Sequence, residues 1–485
     1  MTQLTNQSVT RVSDRSRTLA LVVLCCAALL DTIDVTVVNV AMPAIKNSLH
    51  FSEGGLAWMV DAYMVPFGGF LLLGGRAGDL LGRRRVLLAG TALFTVASAG
   101  SALARNAAMM VGTRAAEGAA AAFVVPMTLA MISTIFPAGP GRNRALSIWG
   151  GVSAVAGTLG LIAGGLLVSA AGWRWIFFIN IPVGVFVLAG AVRLLPADGA
   201  ARTMGGFDLP GAVSVTAGSS LLAYAVMQAG SHPWGSAPTI ALLAGSAALL
   251  GYFIVRERFI ARSPLLPMSL WRSRSVSGAN VVSALMSTAL LAMFYSTTLY
   301  MQLVLHYSPL RTGLCYVPLG LSILVAAGSA PALVRVAGVR VTAASGSLLG
   351  VAGLIWFAQI TVGGQLLTAI VVPSVVSGLG AGLVLITTTI AAMSGVPAAR
   401  SGVASALLNV SRQLGGGLGL AAIASVIAGV SARSSAAVPA ALTSGFQAGF
   451  RVSAALLAGA ALAALVLFRE DGRGQRINLV ELQAG

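Results

Sequence analysis

The sequence predicts an all-α polytopic membrane protein of fourteen transmembrane helices, and three observations predict it: composition, apolar runs and the placement of charge. Of 485 residues, 57% are hydrophobic and only 9% are charged, with a mean hydropathy of +0.90. A soluble domain carries about a quarter charged residues, so this chain cannot clothe a water-facing surface. A net charge of +17 and a pI near 11.4 suit nucleic acid at first sight. Yet the 29 arginines and single lysine stand alone or in short groups between apolar runs, without the aromatic and basic platform of a single-strand binder. Charge so placed sets membrane topology. No nucleic-acid partner is expected; the lipid bilayer is.

A span needs about 20 apolar residues. Such runs fall at 19–45, 56–73, 86–104, 107–136, 145–171 and 176–195, then at 209–229 and 239–255, and then at 276–305, 313–334, 341–360, 366–393, 402–430 and 446–468. Lipid offers no partner to backbone groups, so each run must be helical. The first run is too long for the core of a cleaved signal peptide and reads as an uncleaved span. With the N-terminus cytoplasmic, 22 basic residues fall inside, 5 outside and 3 within runs. That asymmetry favours both termini in the cytoplasm, in a cell inner (plasma) membrane. Cys25, Cys26 and Cys315 lie in apolar runs without metal-ligand spacing and read as small apolar residues. No metal site is expected.

The chain echoes itself. Gly82-Arg83-Arg84 with Gly90 recurs as Gly338-Val339-Arg340 with Gly346, an offset of 256 residues, and Pro137 with Arg144 recurs loosely as Pro397 with Arg400. Parallel repeats of this kind occur in transporters. The division expected is an N-terminal six-helix bundle at 1–195, two inserted helices with their loops at 196–275, and a C-terminal six-helix bundle and tail at 276–485.

Ionisable groups within a span are costly and mark function by default. Asp31 and Asp34 lie three apart in the first span, Asp61 in the second, and Arg114 and Glu117 three apart in the fourth; residues so spaced share a helix face. A structural lock between one arginine and one carboxylate is the plainer reading, but four carboxylates exceed what one arginine neutralises. Crowded carboxylates in low dielectric cannot all stay ionised, which suits groups that take and release a proton. Asp34 is the leading candidate. The segment from Gly75 through Arg76, Asp79, Gly82, Arg83 and Arg84 to Arg85 reads as a tight cytoplasmic turn, its glycines permitting the bend and Asp79 placed to cap a helix or pair with arginine.

That segment resembles the signature loop of the major facilitator superfamily, Gly-x-x-x-Asp-x-x-Gly-Arg-Arg. Leu30-Asp31-Thr32-Ile33-Asp34 through Asn39 and Pro43 is similar to the first span of the fourteen-helix drug–proton antiporters within it. Trp58-Met59-Val60-Asp61-Ala62-Tyr63, Arg114-Ala115-Ala116-Glu117-Gly118, Trp173 to Pro182 and Asn409 to Gly416 resemble that family's second, fourth, sixth and thirteenth spans. The resemblance implies proton-coupled export, with a proton on Asp34, tuning or relay by Asp31, Asp61, Arg114 and Glu117, and a gate latched around Asp79. Three departures stand out. Glu117 replaces a usual glutamine, adding a proton site. Leu161 replaces the proline of the fifth-span antiporter motif at Gly160 to Gly165, which weakens the inference of antiport. Asn409 stands where some dication exporters carry an acid.

Polar and aromatic residues in the spans give a candidate substrate cavity: Asn39, Gln228, Asn280, Tyr295, Gln302, Trp356, Asn409 and Gln413. No nucleotide-binding loop is present, so bound ATP is not the driving force. One proton crossing about 100 mV releases about 2.3 kcal/mol, and about one pH unit adds about 1.4 kcal/mol, enough to hold a substrate gradient of a few hundredfold. The expectation is therefore a monomeric, cofactor-free, alternating-access exporter that exchanges protons for small amphipathic organic molecules such as drugs or antibiotics. A carrier of an endogenous metabolite is the nearest alternative. An intramembrane enzyme lacks a nucleophile–base pair or metal cluster, and a solute sensor would need an output domain.

Overall fold

The computed structural model describes residues 14–52, 55–136, 140–198, 208–228, 235–261, 273–394 and 401–468. They form helices and connecting turns, with no strand among the described residues. The first half is α1 (Asp14–Leu49), α2 (Trp58–Leu81), α3 (Arg83–Ala102), α4 (Ala107–Ile135), α5 (Pro140–Ala171), the short α6 (Trp175–Phe178) and α7 (Asn180–Leu194). A hairpin of α8 (Leu209–Gln228) and α9 (Ala237–Val255) follows. The second half is α10 (Arg274–Leu299), α11 (Pro309–Cys315), α12 (Val317–Phe357), α13 (Val372–Met393), α14 (Ser401–Arg433) and α15 (Val438–Leu467).

Eleven helical segments among the described residues are long and apolar enough to cross a membrane. They differ from the fourteen apolar runs by three. The helices α2 and α5 are not among the eleven, and the runs at 313–334 and 341–360 count as one because α12 passes through a kink at Gly338. Fourteen itself stays an expectation from the sequence.

The backbone repeats at the offset seen in the sequence. Gly82 and Gly338 both hold positive φ, at 102° and 80°, and so do His50 and His306, 256 residues apart, at 56° and 53°. The left-handed region suits glycine and is uncommon for other residues, so four such positions in two matched pairs mark the same chain path used twice. Packing repeats as well. Gly90 lies against Ala120, Phe123 and Val124 of α4, and Gly346 lies against Gly380, Leu383 and Val384 of α13.

The halves meet along two seams. In one, α14 packs on α2, with α8 against both; in the other, α5 packs on α11. A Cβ on Gly165 would lie 2.6 Å from the Pro309 carbonyl oxygen, and Leu310 N–H donates to Ser169 Oγ at 3.2 Å. Gln302 Nε2, just past α10, donates to the Val40 carbonyl of α1 at 2.8 Å. These last contacts lie at the end of the bundle opposite Gly82 and Gly338. Around Leu161, α5 packs closely on α1. A Cβ on Gly160 would stand 2.1 Å from Thr36 Oγ1 and one on Gly164 3.1 Å from Val37 Cα, so the helix lies tight on α1.

The tight cytoplasmic turn expected over the whole segment from Gly75 is confined to its Gly82. Gly75 to Leu81 continue α2 as helix, and the reversal into α3 is made by Gly82 alone. One residue with φ of 102° suffices, so the preceding residues keep their helical hydrogen bonds. The side chain of Asp79 lies outside the described residues; Asp198, beyond α7, caps α3. Its Oδ1 accepts from Arg84 N–H at 2.9 Å and its Oδ2 from Arg85 N–H at 3.0 Å. A carboxylate at a helix N-terminus satisfies orphan donors and meets the positive end of the dipole. Gly82 also makes room for it, since a Cβ there would lie 2.4 Å from Asp198 Cγ. Asp198→Ala should therefore cost about 0.5–2 kcal/mol. Thermal unfolding in detergent should show a lowered Tm, and an unchanged Tm would mean that the contact carries no load.

Candidate proton-coupling site

The site grows from the contact of α2 with α4. A Cβ on Gly118 would come within 2.1 Å of the Tyr63 carbonyl oxygen, and one on Gly74 within 2.0 Å of that of Ala122. Small residues let two membrane helices touch backbone to backbone, and this contact sets Tyr63 and Met59 beside Arg114. The α4 helix is itself started by Asn106, whose Oδ1 accepts from Met109 N–H at 2.8 Å.

Arg114 is 1% exposed, and its guanidinium meets four elements. Nη1 donates to Asp34 Oδ2 of α1 and to Glu117 Oε2, the latter at 2.5 Å. Nε donates to the Met59 carbonyl of α2 at 3.1 Å, and Cζ lies 4.5 Å from the centre of the Tyr63 ring and 5.9 Å from that of Phe177. Asp34, also 1% exposed, accepts a second bond from Asn180 Nδ2 of α7 at 3.0 Å. Asn180 Nδ2 also reaches Ser98 Oγ of α3 at 3.0 Å. On the far side of Tyr63, its hydroxyl donates to Asp31 Oδ1 at 2.6 Å.

Asp31, Asp34, Arg114 and Glu117 therefore form one connected group, with Tyr63 as the link to Asp31. Two fully buried carboxylates share one guanidinium. In low dielectric a pair of opposite charges is tolerable when well bonded, but a surplus charge is not. One guanidinium offsets one carboxylate, so the cluster carries one more acidic group than its single cation balances.

Asp61 stands apart from that group. It is fully buried, neither of its oxygens has a hydrogen-bond partner, and it lies at the α2–α14 seam, where a Cβ on Gly417 would be 3.6 Å from Oδ1. Asn180, Tyr63, Ser98 and Asp198 are the residues that sequence reasoning left without a role. The signal for Asn180 was available, since it is a polar residue inside an apolar run.

The eight candidate cavity residues do not gather in one place. Asn39 Nδ2 turns back to the Val35 carbonyl at 3.0 Å. Asn280 accepts from Ser411 Oγ and donates to the Val276 carbonyl, both at 2.7 Å. Gln302 bridges to α1, Tyr295 is buried, Asn409 is exposed on α14, and Gln413 lies against Gly68 of α2. Trp356 lines a separate cleft of about 320 Å³ with Gln359, Thr361 and Gln365. Gln228 ends α8, and its side chain lies outside the described residues. Run and depth can be read from a sequence, but which face of a helix looks inward cannot, and that separates these residues.

The apolar helices, the repeated half and the charged cluster buried between helices define a multi-pass membrane transporter. Residues 24–420 match the Major Facilitator Superfamily, and the chain belongs to that family. It is 39% identical over 413 residues to the cephamycin export protein CmcT of Amycolatopsis lactamdurans, covering 84% of this chain and 85% of that one. It is 34% identical over 416 residues to the puromycin resistance protein pur8 of Streptomyces alboniger, covering 85% and 82%. In fold it is similar to the crystal structure of a bacterial homolog of the human lysosomal transporter Spinster, with a TM-score of 0.66 at 15% identity over 94% of this chain and 97% of that one.

The cluster and Asp61 should answer differently to substitution. Arg114→Met strands two buried carboxylates and should lower stability by about 3–5 kcal/mol. Asp61→Asn removes no hydrogen bond and should leave the Tm in detergent unchanged or higher. A Tm that falls as far for Asp61→Asn as for Arg114→Met would contradict this assignment of partners.

Proposed function

We propose that the protein exports small organic molecules of the antibiotic type in exchange for protons. The observation that carries this reading is the sharing of the buried Arg114 guanidinium between Asp34 and Glu117. Relatives named for the export of cephamycin and for resistance to puromycin and lincomycin support the substrate class.

Asp34 is the group that couples the proton to motion. It ties α1 to α4 through Arg114 and to α7 through Asn180, so a proton on it weakens contacts among three helices. A proton on Glu117 weakens a contact within α4 only, between residues three apart. Glu117 supplies the second negative charge that makes a proton welcome, and Asp31, joined through Tyr63, provides a relay. Arg114 then keeps one carboxylate paired at every stage.

The protein lies in the plasma membrane with both termini cytoplasmic, as the basic residues favour. In that orientation Gln302 with Val40, and Ser169 with Leu310, close the outer side, leaving the halves to part toward the cytoplasm, where substrate enters. Arg83, donating to Thr134 Oγ1 at 2.8 Å, ties α3 to α4 at the inner end. The segment around Asp79, which resembles the family's signature loop, latches that gate.

Uptake of a fluorescent drug into inverted vesicles, with and without a protonophore, tests the assignment. Asp34→Asn should abolish the protonophore-sensitive uptake, and Glu117→Gln should retain most of it. The opposite pattern would place the coupling proton in α4 and not in α1.

A further inference from the structure

The second half of the chain holds an arginine with no counter-ion among the described residues. No Asp or Glu occurs between Glu257 and Glu470, so α10 to α15 contain no acid at all. Arg412 nevertheless lies about the middle of α14, eleven residues from its start. Its hydrogen bonds all run from Nη2, to the Leu385 carbonyl at 3.0 Å, Thr389 Oγ1 at 3.0 Å and Thr388 Oγ1 at 3.4 Å. These acceptors are neutral and belong to α13. A guanidinium presents five donors, and here Nε and Nη1 have no bond to the described residues. Arg114 is the contrast, since its charge is met by two carboxylates.

Gln413, Leu414 and Gly417 lie on α2, with Gly68, Met64 and Val65 opposite, while Gly415, Gly416 and Gly419 lie on Ala284, Leu291, Ser287 and Thr288 of α10. Successive residues of a helix step by about 100°, so Arg412 falls on the side of α14 turned to α10, from which its guanidinium reaches α13, and Asn409 falls between the α10 and α2 contacts. Asn409 is three residues before Arg412 and four before Gln413, which puts three polar side chains on neighbouring turns. Leu385 and Thr389 beside the guanidinium are themselves exposed, so there is open space next to the unused donors. A charge in the membrane interior without a partner is costly, and an anionic ligand would remove that cost while it is bound.

We infer that Arg412 binds an anionic group of the transported molecule, so that the substrate class is organic anions bearing a carboxylate or a similar oxyanion. The unused Nε and Nη1 form the edge of the guanidinium that takes both oxygens of a carboxylate. The inference rests on the reading that the protein is an exporter and that the space beside α13 and α14 opens onto its transport path. It also divides the labour of the two halves: acids of the first half handle the proton, and the arginine of the second holds the anion. Carrying one anion out while one proton enters moves two charges per turnover, so the membrane potential would act on both.

Two dyes that differ only by esterification of a carboxylate make the test, rhodamine 110 with a free carboxylate and rhodamine 123 with a methyl ester. Binding to purified protein in detergent, read by fluorescence polarisation, needs no proton gradient and so is independent of proton coupling. The intact protein should bind rhodamine 110 at least about tenfold more tightly than rhodamine 123, the size of one charge-assisted hydrogen bond. Arg412→Gln should erase the difference by weakening rhodamine 110 alone, and Arg412→Lys should keep part of it. Equal binding of both dyes, preference for the ester, no binding of rhodamine 110, or equal weakening of both dyes by Arg412→Gln would each overturn the proposal. Protonophore-insensitive drug uptake combined with the expected dye preference would instead sink the proton-coupling reading and leave the anion site standing.

Discussion

The structure depends on a single buried guanidinium. Arg114 gives up its hydration at 1% exposure and recovers it from Asp34, Glu117, the Met59 carbonyl and the face of Tyr63. Burying an ion without such partners costs several kcal/mol, so α1, α2 and α4 must be held in register for the helix bundle to exist at all. The glycine contacts between α2 and α4 provide that register, because Gly118 and Gly74 let the two backbones touch beside the charge. The same demand makes the site responsive. One positive charge between two carboxylates cannot balance both, so the two pairings compete.

The two halves share a chain path but not an electrostatic role. Matched left-handed residues at His50 and His306, and at Gly82 and Gly338, show that the turns are made the same way twice. The small-residue contacts of Gly90 on α4 and Gly346 on α13 repeat with them. Charge does not repeat. The first half places four carboxylates and one arginine in its spans, whereas the second has arginines and no acid. A duplicated scaffold thus carries a charged cluster inside one half and no acid in the spans of the other.

Much of this was legible in the sequence because membrane physics leaves few alternatives. Apolar runs must be helices, and α4 follows its run closely, Ala107–Ile135 against 107–136, whereas α2 outruns its own by eight residues. The spacing of Arg114 and Glu117 placed them on one face, and the cost of intramembrane charge singled out Asp34. What stayed hidden depends on contacts between distant segments. Asp198 caps α3 from 114 residues away, and nothing local marks it. Asn180 reaches Asp34 across 146 residues. The glycine-rich segment before Gly82 suggested a loop because glycine is poor in soluble helices, yet in a tightly packed membrane bundle its smallness serves contact with α4, as at Gly78 beside Met127. Cavity residues could be placed in depth but not in azimuth, so Trp356 and Asn280 were grouped although they serve different surroundings.

The central claim is that Asp34 joins proton movement to substrate movement without being needed for substrate passage itself. Counterflow in proteoliposomes separates the two, since exchange of labelled for unlabelled substrate requires no net proton transfer. The account predicts that Asp34→Asn loses accumulation driven by an imposed pH gradient while counterflow persists at a substantial fraction of the rate of the unaltered protein. Loss of both to the same extent would contradict it and would make Asp34 a structural support of Arg114 alone.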